Sequence, residues 1–257
     1  MGYPTLELNN KTAVVIGGTS GIGLTMAKAL AIAGADVVPT GRRAELVESA
    51  SHEIDKLGRR TLSVTTDVSN SGSIQALLDT VLKTFGSVEI LINAAGITKR
   101  RPTLEVSEEE WNAIMDTNLN GTLRACQVFG RHMIERQYGR IINICSLSTF
   151  LGLCEVAAYA ASKSAVGSLT KSLAVEWAKF GVCVNGVAPG VFRTDLNKAL
   201  LEGPRGQEFL VRTPMARFGR VEELSGAAVF LASDSASFVT GHILAVDGGF
   251  LASGVNQ

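Results

Sequence analysis

The chain has little of what many functions require. Its four cysteines, Cys126, Cys145, Cys154 and Cys183, form no Cys-x-x-Cys pair. That argues against a disulfide framework or a cysteine-built zinc site and for reduced thiols in a cytoplasmic protein. His52, His132 and His242 lie far apart, so there is no metal-spaced cluster and no metal is expected. Basic and acidic side chains number 24 each. With no basic field, nucleic acid is not an expected partner. No apolar run approaches the ~20 residues of a membrane span. The first residues, Met1 to Leu8, lack the basic-then-apolar order of a secretory signal.

What is present is apolar and periodic. Hydrophobic residues make up 46% of the 257 positions, enough for one large core spanning residues 1–257. Short apolar runs predict strands at 12–16, 36–40, 61–65, 88–92, 139–144, 182–187 and 242–246. Longer helical patterns lie between them, at 22–33, 44–57, 71–85, 156–180 and 221–231. Ser107-x-x-Glu110 reads as a capping box opening another long helix. This alternation predicts an α/β, Rossmann-type doubly wound parallel sheet of about seven strands, with helices on both faces. Ligands in such folds bind at the carboxyl ends of the strands. Residues 193–220 break the rhythm with Gly203-Pro204 and Thr213-Pro214; a small helical substrate lid and a plain surface loop are the two readings.

Directly after the first strand stands Gly17-Gly-Thr19-Ser20-Gly21-Ile22-Gly23. Glycines at this strand-to-helix turn let backbone approach a pyrophosphate at a helix N-terminus. The second strand ends in Thr40-Gly41-Arg42-Arg43. A site selective for NAD wants a carboxylate there for the ribose 2′-hydroxyl, whereas an arginine fork suits a 2′-phosphate. The expected cofactor is therefore NADP(H), with NAD(H) still open. Asp67-Val68 follows the third strand and suits either an adenine contact or a turn.

Tyr159-Ala-Ala-Ser-Lys163 follows Ser146 by thirteen positions. A phenol with a pKa near ~10 needs a nearby cation to shuttle protons at neutral pH. A lysine at i+4 on a helix supplies one on the same face. Ser146 adds a second hydroxyl able to orient a substrate oxygen.

Taken together, these motifs resemble the short-chain dehydrogenase/reductase family from Lys11 to Gly249. Ile16 stands where that family usually has Thr. Asn93-Ala94-Ala95-Gly96 resembles its Asn-Asn-Ala-Gly, with Ala94 replacing the second Asn. The resemblance implies a catalytic set of Asn118, Ser146, Tyr159 and Lys163, and nicotinamide contacts from Pro189, Gly190, Val191 and Thr194. It also implies a homotetramer, and hydride transfer between the cofactor and a secondary alcohol or ketone. Tyr159 would move the proton, with its pKa lowered by Lys163, and Asn118 would hold a water. Lys99-Arg100-Arg101, after Gly96, looks like the branch acting on sugar acids (gluconate 5-dehydrogenase and 2-deoxy-gluconate 3-dehydrogenase). Arg100 is the candidate carboxylate clamp beside Ser146 and Tyr159; a solvated loop is the plainer reading. Reduction of a 3-oxoacyl thioester on a carrier protein is the alternative activity, and a non-catalytic cofactor-binding regulator the alternative class.

Overall fold

Strands that are apolar at every position need cover on both faces. In the computed structural model, which describes residues 5–193 and 201–254, the central strands have that cover at every position and the two edge strands have it in part. The strands are β1 (Thr12–Ile16), β2 (Asp36–Thr40), β3 (Ile90–Asn93), β4 (Gly139–Ile144), β5 (Val182–Pro189) and β6 (Ile243–Val246). They form one parallel sheet in the order β2-β1-β3-β4-β5-β6. The helices are α1 (Gly21–Ile32), α2 (Ala44–Asp55), α3 (Ser71–Phe85), α4 (Glu108–Met115), α5 (Gly121–Glu135), α6 (Ala157–Trp177), α7 (Pro204–Arg212) and α8 (Ser225–Ala232).

Successive strand residues point to opposite faces, so neighbours in sequence enter different cores. Val15, Ile92 and Ile142 pack with Met26 and Leu30 of α1 and Leu231 of α8. Val14, Leu91 and Val184 pack with Leu77 of α3, Phe129 and Met133 of α5 and Leu173 of α6. Helix ends follow local chemistry. The Asn70 side chain accepts from Gly72 N and Ser73 N to start α3, and Gly86, at φ 85°, ends it. The strand order reverses at β1, which opens a crevice above the carboxyl ends of β1 and β3.

The sheet has six strands rather than about seven, because residues 61–65 are not a strand. They run beside β2, held by Val37 N to Arg60 O (3.1 Å) and Thr66 N to Gly41 O (2.9 Å). The rung between those bonds falls on Pro39, which has no N–H to donate. Side chains replace the ladder. Ser51 Oγ of α2 donates to Leu62 O at 3.0 Å, and Thr40 Oγ1 donates to Val64 O at 2.5 Å.

Ser51 is buried, so its removal would leave the Leu62 carbonyl without a partner. Ser51→Ala should lower unfolding free energy by about 1–3 kcal/mol, the usual cost of an orphaned buried acceptor. Adding Pro39→Val, which restores an N–H, should recover part of that loss. Urea denaturation of the single and double variants checks this; an unchanged midpoint in Ser51→Ala would refute it.

Candidate active site

A cleft of about 710 Å³ opens above the carboxyl ends of β1, β2 and β3. Gly17, Thr19, Ser20, Gly21, Ile22 and Gly23 form its floor, Arg42 and Arg43 one end, and Ala94, Ala95, Gly96 and Val68 another wall. Two glycines make the floor possible. Gly17 has φ +82°, and a Cβ there would lie 2.4 Å from Ala95 N; a Cβ on Gly23 would lie 2.1 Å from Gly17 O. The strand-to-helix turn therefore stays tight, with the α1 N-terminus facing the cleft. Its shape and its arginines fit a phosphorylated dinucleotide.

The four residues expected to carry chemistry come from three places. Asn118 lies on a π-helical turn, Asp116–Asn120, between α4 and α5. Such a bulge re-aims a side chain, and Asn118 is fully buried. Its amide accepts from Ile97 N (2.8 Å) and donates to Ile97 O (2.9 Å) and Ser162 Oγ (3.0 Å). Thr122 Oγ1 donates to the Asn118 carbonyl at 2.8 Å, occupying an acceptor that the bulge disturbs. Ser146 lies two residues beyond β4 and opens a 3-10 turn, Leu147–Thr149, where its Oγ accepts from Ser148 N. That turn is tied to α6: Thr149 Oγ1 donates to Lys163 O (3.1 Å) and Ser164 Oγ to Ser148 O (3.0 Å). Tyr159 and Lys163 lie one turn apart on α6, the Lys163 Nζ 5.9 Å from the Tyr159 ring centre. Lys163 donates to Ile144 O at 2.6 Å. A Cβ on Gly96 would lie 3.3 Å from Asn118 Oδ1 and 3.6 Å from Lys163 Nζ, so the end of the cleft reaches the catalytic set.

Burial sets the electrostatics. It pulls Lys163 down to about 8, opposed by Cys145. It pushes the Tyr159 phenol above its ordinary value, opposed by the Ser146 hydroxyl. The sequence suggested that Lys163 would lower the phenol. In the structure burial outweighs every lowering influence, and Ser146 supplies the opposing hydrogen bond.

The remaining candidate residues have partners of their own. Asp67 accepts from Ser69 N and Ser69 Oγ, bonds that hold its carboxyl low and make it a turn-former. Asn93 faces away from the cleft, donating to Asn143 Oδ1 at 2.9 Å within the sheet. A Cβ on Gly190 would lie 2.6 Å from Asp247 Cα, so Pro189-Gly190 packs against the turn after β6. Val191 lines a separate cavity of about 170 Å³ with Met215 and Asp247. Thr194 and residues 195–200 of the 193–220 segment lie outside the described residues.

Glu110 does not close the expected capping box. Ser107 Oγ accepts from Glu110 N, while the Glu110 carboxylate pairs with Lys99 and with Arg101 at 3.0 Å. Arg100 pairs with Glu155 at 2.5 Å and stays half exposed. The cleft also takes in Thr66, Ile97, Thr117, Arg193 and Val221. Sequence reasoning missed these, because tertiary folding alone brings them there.

A family profile described as Enoyl-(Acyl carrier protein) reductase matches residues 17–251. Gluconate 5-dehydrogenase of Gluconobacter oxydans (strain 621H) is 42% identical over 255 residues, covering 98% of this chain and 100% of that protein. A 2-dehydro-3-deoxy-D-gluconate 5-dehydrogenase of Bacillus subtilis (strain 168) is 43% identical over 256 residues, covering 98% and 99%. A crystal structure of a gluconate 5-dehydrogenase from Burkholderia cenocepacia J2315, in complex with NADP and tartrate, has a TM-score of 0.93 at 39% identity, covering 97% of this chain and 98% of that one. Similarity of this extent, on a parallel sheet whose carboxyl edge carries the glycine turn and the Tyr159–Lys163 helix, makes the chain a member of the short-chain dehydrogenase/reductase family.

Proposed function

We propose that the protein is an oxidoreductase, preferring NADP(H) and open to NAD(H), that interconverts a secondary alcohol and a ketone on a sugar acid of the gluconate type. The observation that carries this reading is the approach of Asn118 and Lys163 to Gly96, which lines the dinucleotide-sized cleft, with the Ser146 hydroxyl hydrogen-bonded to Tyr159 one helical turn from Lys163. The activities named for the Gluconobacter and Bacillus relatives, and the NADP and tartrate in the Burkholderia structure, support the cofactor and substrate class.

A nicotinamide cofactor, when bound, supplies the two-electron step. The backbone of Gly17–Gly23 holds its phosphates, and Arg42 and Arg43 its 2′-phosphate. Ser146 orients the substrate oxygen. Tyr159 takes the alcohol proton in oxidation and returns it in reduction. Lys163 holds positive charge beside the phenol, and Asn118 keeps the Ile97 loop in place. Arg100 receives the substrate carboxylate, sharing its guanidinium with Glu155. The pairing of Lys99 and Arg101 with Glu110 weakens the carrier-protein reading, since docking an acidic carrier wants unpaired cations. We also infer that residues 193–220 cover the substrate, a reading supported by Arg205 of α7 donating to Cys154 O at 3.0 Å, just before the Tyr159 helix. A cytoplasmic homotetramer completes the reading; in its support, Trp111 on α4 and Val175 on α6 leave apolar surface exposed.

Purified protein should oxidise NADPH with 5-keto-D-gluconate, or reduce NADP with gluconate or 2-dehydro-3-deoxy-D-gluconate. Tyr159→Phe should lower kcat by roughly 10²–10⁴-fold, the range for a positioned proton donor. Arg100→Ala should raise KM for the sugar acid roughly tenfold, as for a lost charged hydrogen bond. Turnover of an acetoacetyl thioester with none of the sugar acids would overturn the substrate class.

The raised phenol of Tyr159 fixes the sign of the pH dependence. Oxidation needs the phenolate, which is scarce at neutral pH, so its kcat should climb from pH 7 into the alkaline range. Reduction needs the phenol, which is abundant at neutral pH, and should not climb. Steady-state pH profiles in both directions test this, and a flat oxidation profile with chemistry rate-limiting would remove Tyr159 as the base.

A further inference from the structure

Three arginines line the cleft, Arg42, Arg43 and Arg193. The first two follow β2 and the third follows β5. Four strand spacings separate β2 from β5 in the sheet, about 19 Å at ~4.8 Å each. One phosphate group cannot be gripped from both ends of that span. Arg193 enters the cleft from a different strand than the arginine pair does.

The path of the chain shows where Arg193 arrives. Beyond β5, Phe192 bridges to Gly219 and is buried with Met26 and Leu30 of α1. Arg193 N donates to Gly219 O at 3.2 Å. A Cβ on Gly219 would lie 2.4 Å from the Phe192 ring, so this crossing is closely packed. Two residues later Val221 packs against the same core and lines the same cleft. The segment has thus bent back over α1, and Arg193 shares the cleft with Gly21 and Ile22 at that helix's N-terminus. Its guanidinium lies 5.8 Å from the Phe218 ring centre. Arg217 and Arg220 both pair with Glu223, whereas no ion pair among the described residues includes Arg193.

We propose that Arg193 is a pyrophosphate clamp, closing on the cofactor's diphosphate from the side opposite the glycine turn. The proposal rests on the reading of the cleft as a dinucleotide site. It separates two functions in one cleft: Arg193 sets affinity for every nicotinamide dinucleotide, while Arg42 and Arg43 set NADP against NAD. The glycine turn supplies only backbone N–H groups and a helix end, so the diphosphate otherwise meets no full positive charge among the described residues that line the floor.

Calorimetric titration of the full chain with NADPH, NADH and ADP-ribose tests this without turnover. ADP-ribose keeps the diphosphate and lacks both the nicotinamide and the 2′-phosphate. Arg193→Gln should weaken all three by a similar factor, roughly ten- to a hundredfold for a lost charge-assisted contact. Arg42→Ala should weaken NADPH alone. Arg193→Lys should recover part of the loss, since it keeps the charge and loses the fork. Wild-type affinity of Arg193→Gln for all three ligands would overturn the clamp, as would a loss confined to NADPH. Unchanged titrations with a raised sugar-acid KM would move Arg193 to the substrate. Wild-type protein that binds none of the three would defeat the dinucleotide reading itself, before any variant is compared. Matching thermal melts of wild type and Arg193→Gln would exclude unfolding as the cause of a loss.

Discussion

The side chain of Asn118 offers Ile97 what a neighbouring strand would, one donor and one acceptor at peptide spacing, and Ile97 uses both. This pair of bonds fixes where the chain goes after β3. Ile97 lies between Gly96, which faces the catalytic end of the cleft, and the 99–101 run, so one rung sets both. The rung needs Asn118 to point into the protein from the middle of a long helical stretch. Regular helix geometry from α4 into α5 would carry it past that direction, and the π-turn at 116–120 brings it back. Ser162, which accepts from the same amide and donates to Tyr159 O at 2.7 Å, passes the constraint to α6. The loop after β3, the α4–α5 junction and the Tyr159–Lys163 helix are thereby fixed relative to one another.

Once these groups are enclosed, their charge states follow from burial. The enclosed phenol resists losing its proton and the enclosed ammonium resists keeping it. The two shifts part a phenol and an ammonium that are nearly equal in proton affinity in water: the phenol keeps its proton more firmly, and the ammonium releases its own near pH 8. The lysine's burial is a cost to the fold. Its proton is held more weakly in the folded chain than in the unfolded one, so the ammonium is destabilising at neutral pH. That cost is relieved as pH rises from about 8 towards the value of free lysine. The Ile144 carbonyl at 2.6 Å offsets part of it.

Local chemistry decided which features could be read from the residues alone. The sheet was legible because its strands are short, mostly apolar runs, and the glycine turn because it follows the first of them. The Tyr159–Lys163 spacing was legible because i and i+4 share a face on any helix. The missing seventh strand was less so: residues 61–65 have strand composition, and only the partner's Pro39 removes the rung. Asp67 and Asn93 stand where cofactor contacts would be sought, yet each has a nearer partner, Ser69 and Asn143. Arg193 and Thr66 reach the cleft only through chain crossings that no local pattern records.

The substrate side shows the same limit more sharply. Three consecutive cations at 99–101 look like an anion site, and in the fold each has a carboxylate. Glu110 takes two of them from a helix that the sequence marks only by its cap, and Glu155 takes the third from the approach to α6. This neutralisation works against docking a large acidic surface and leaves a small anion able to compete for one exposed guanidinium. Arg100 is half exposed, its pair with Glu155 spends one edge of a five-donor fork, and an exposed pair of this kind contributes about 0–1 kcal/mol. A carboxylate already held in place by its other contacts can therefore share or displace Glu155 at little cost.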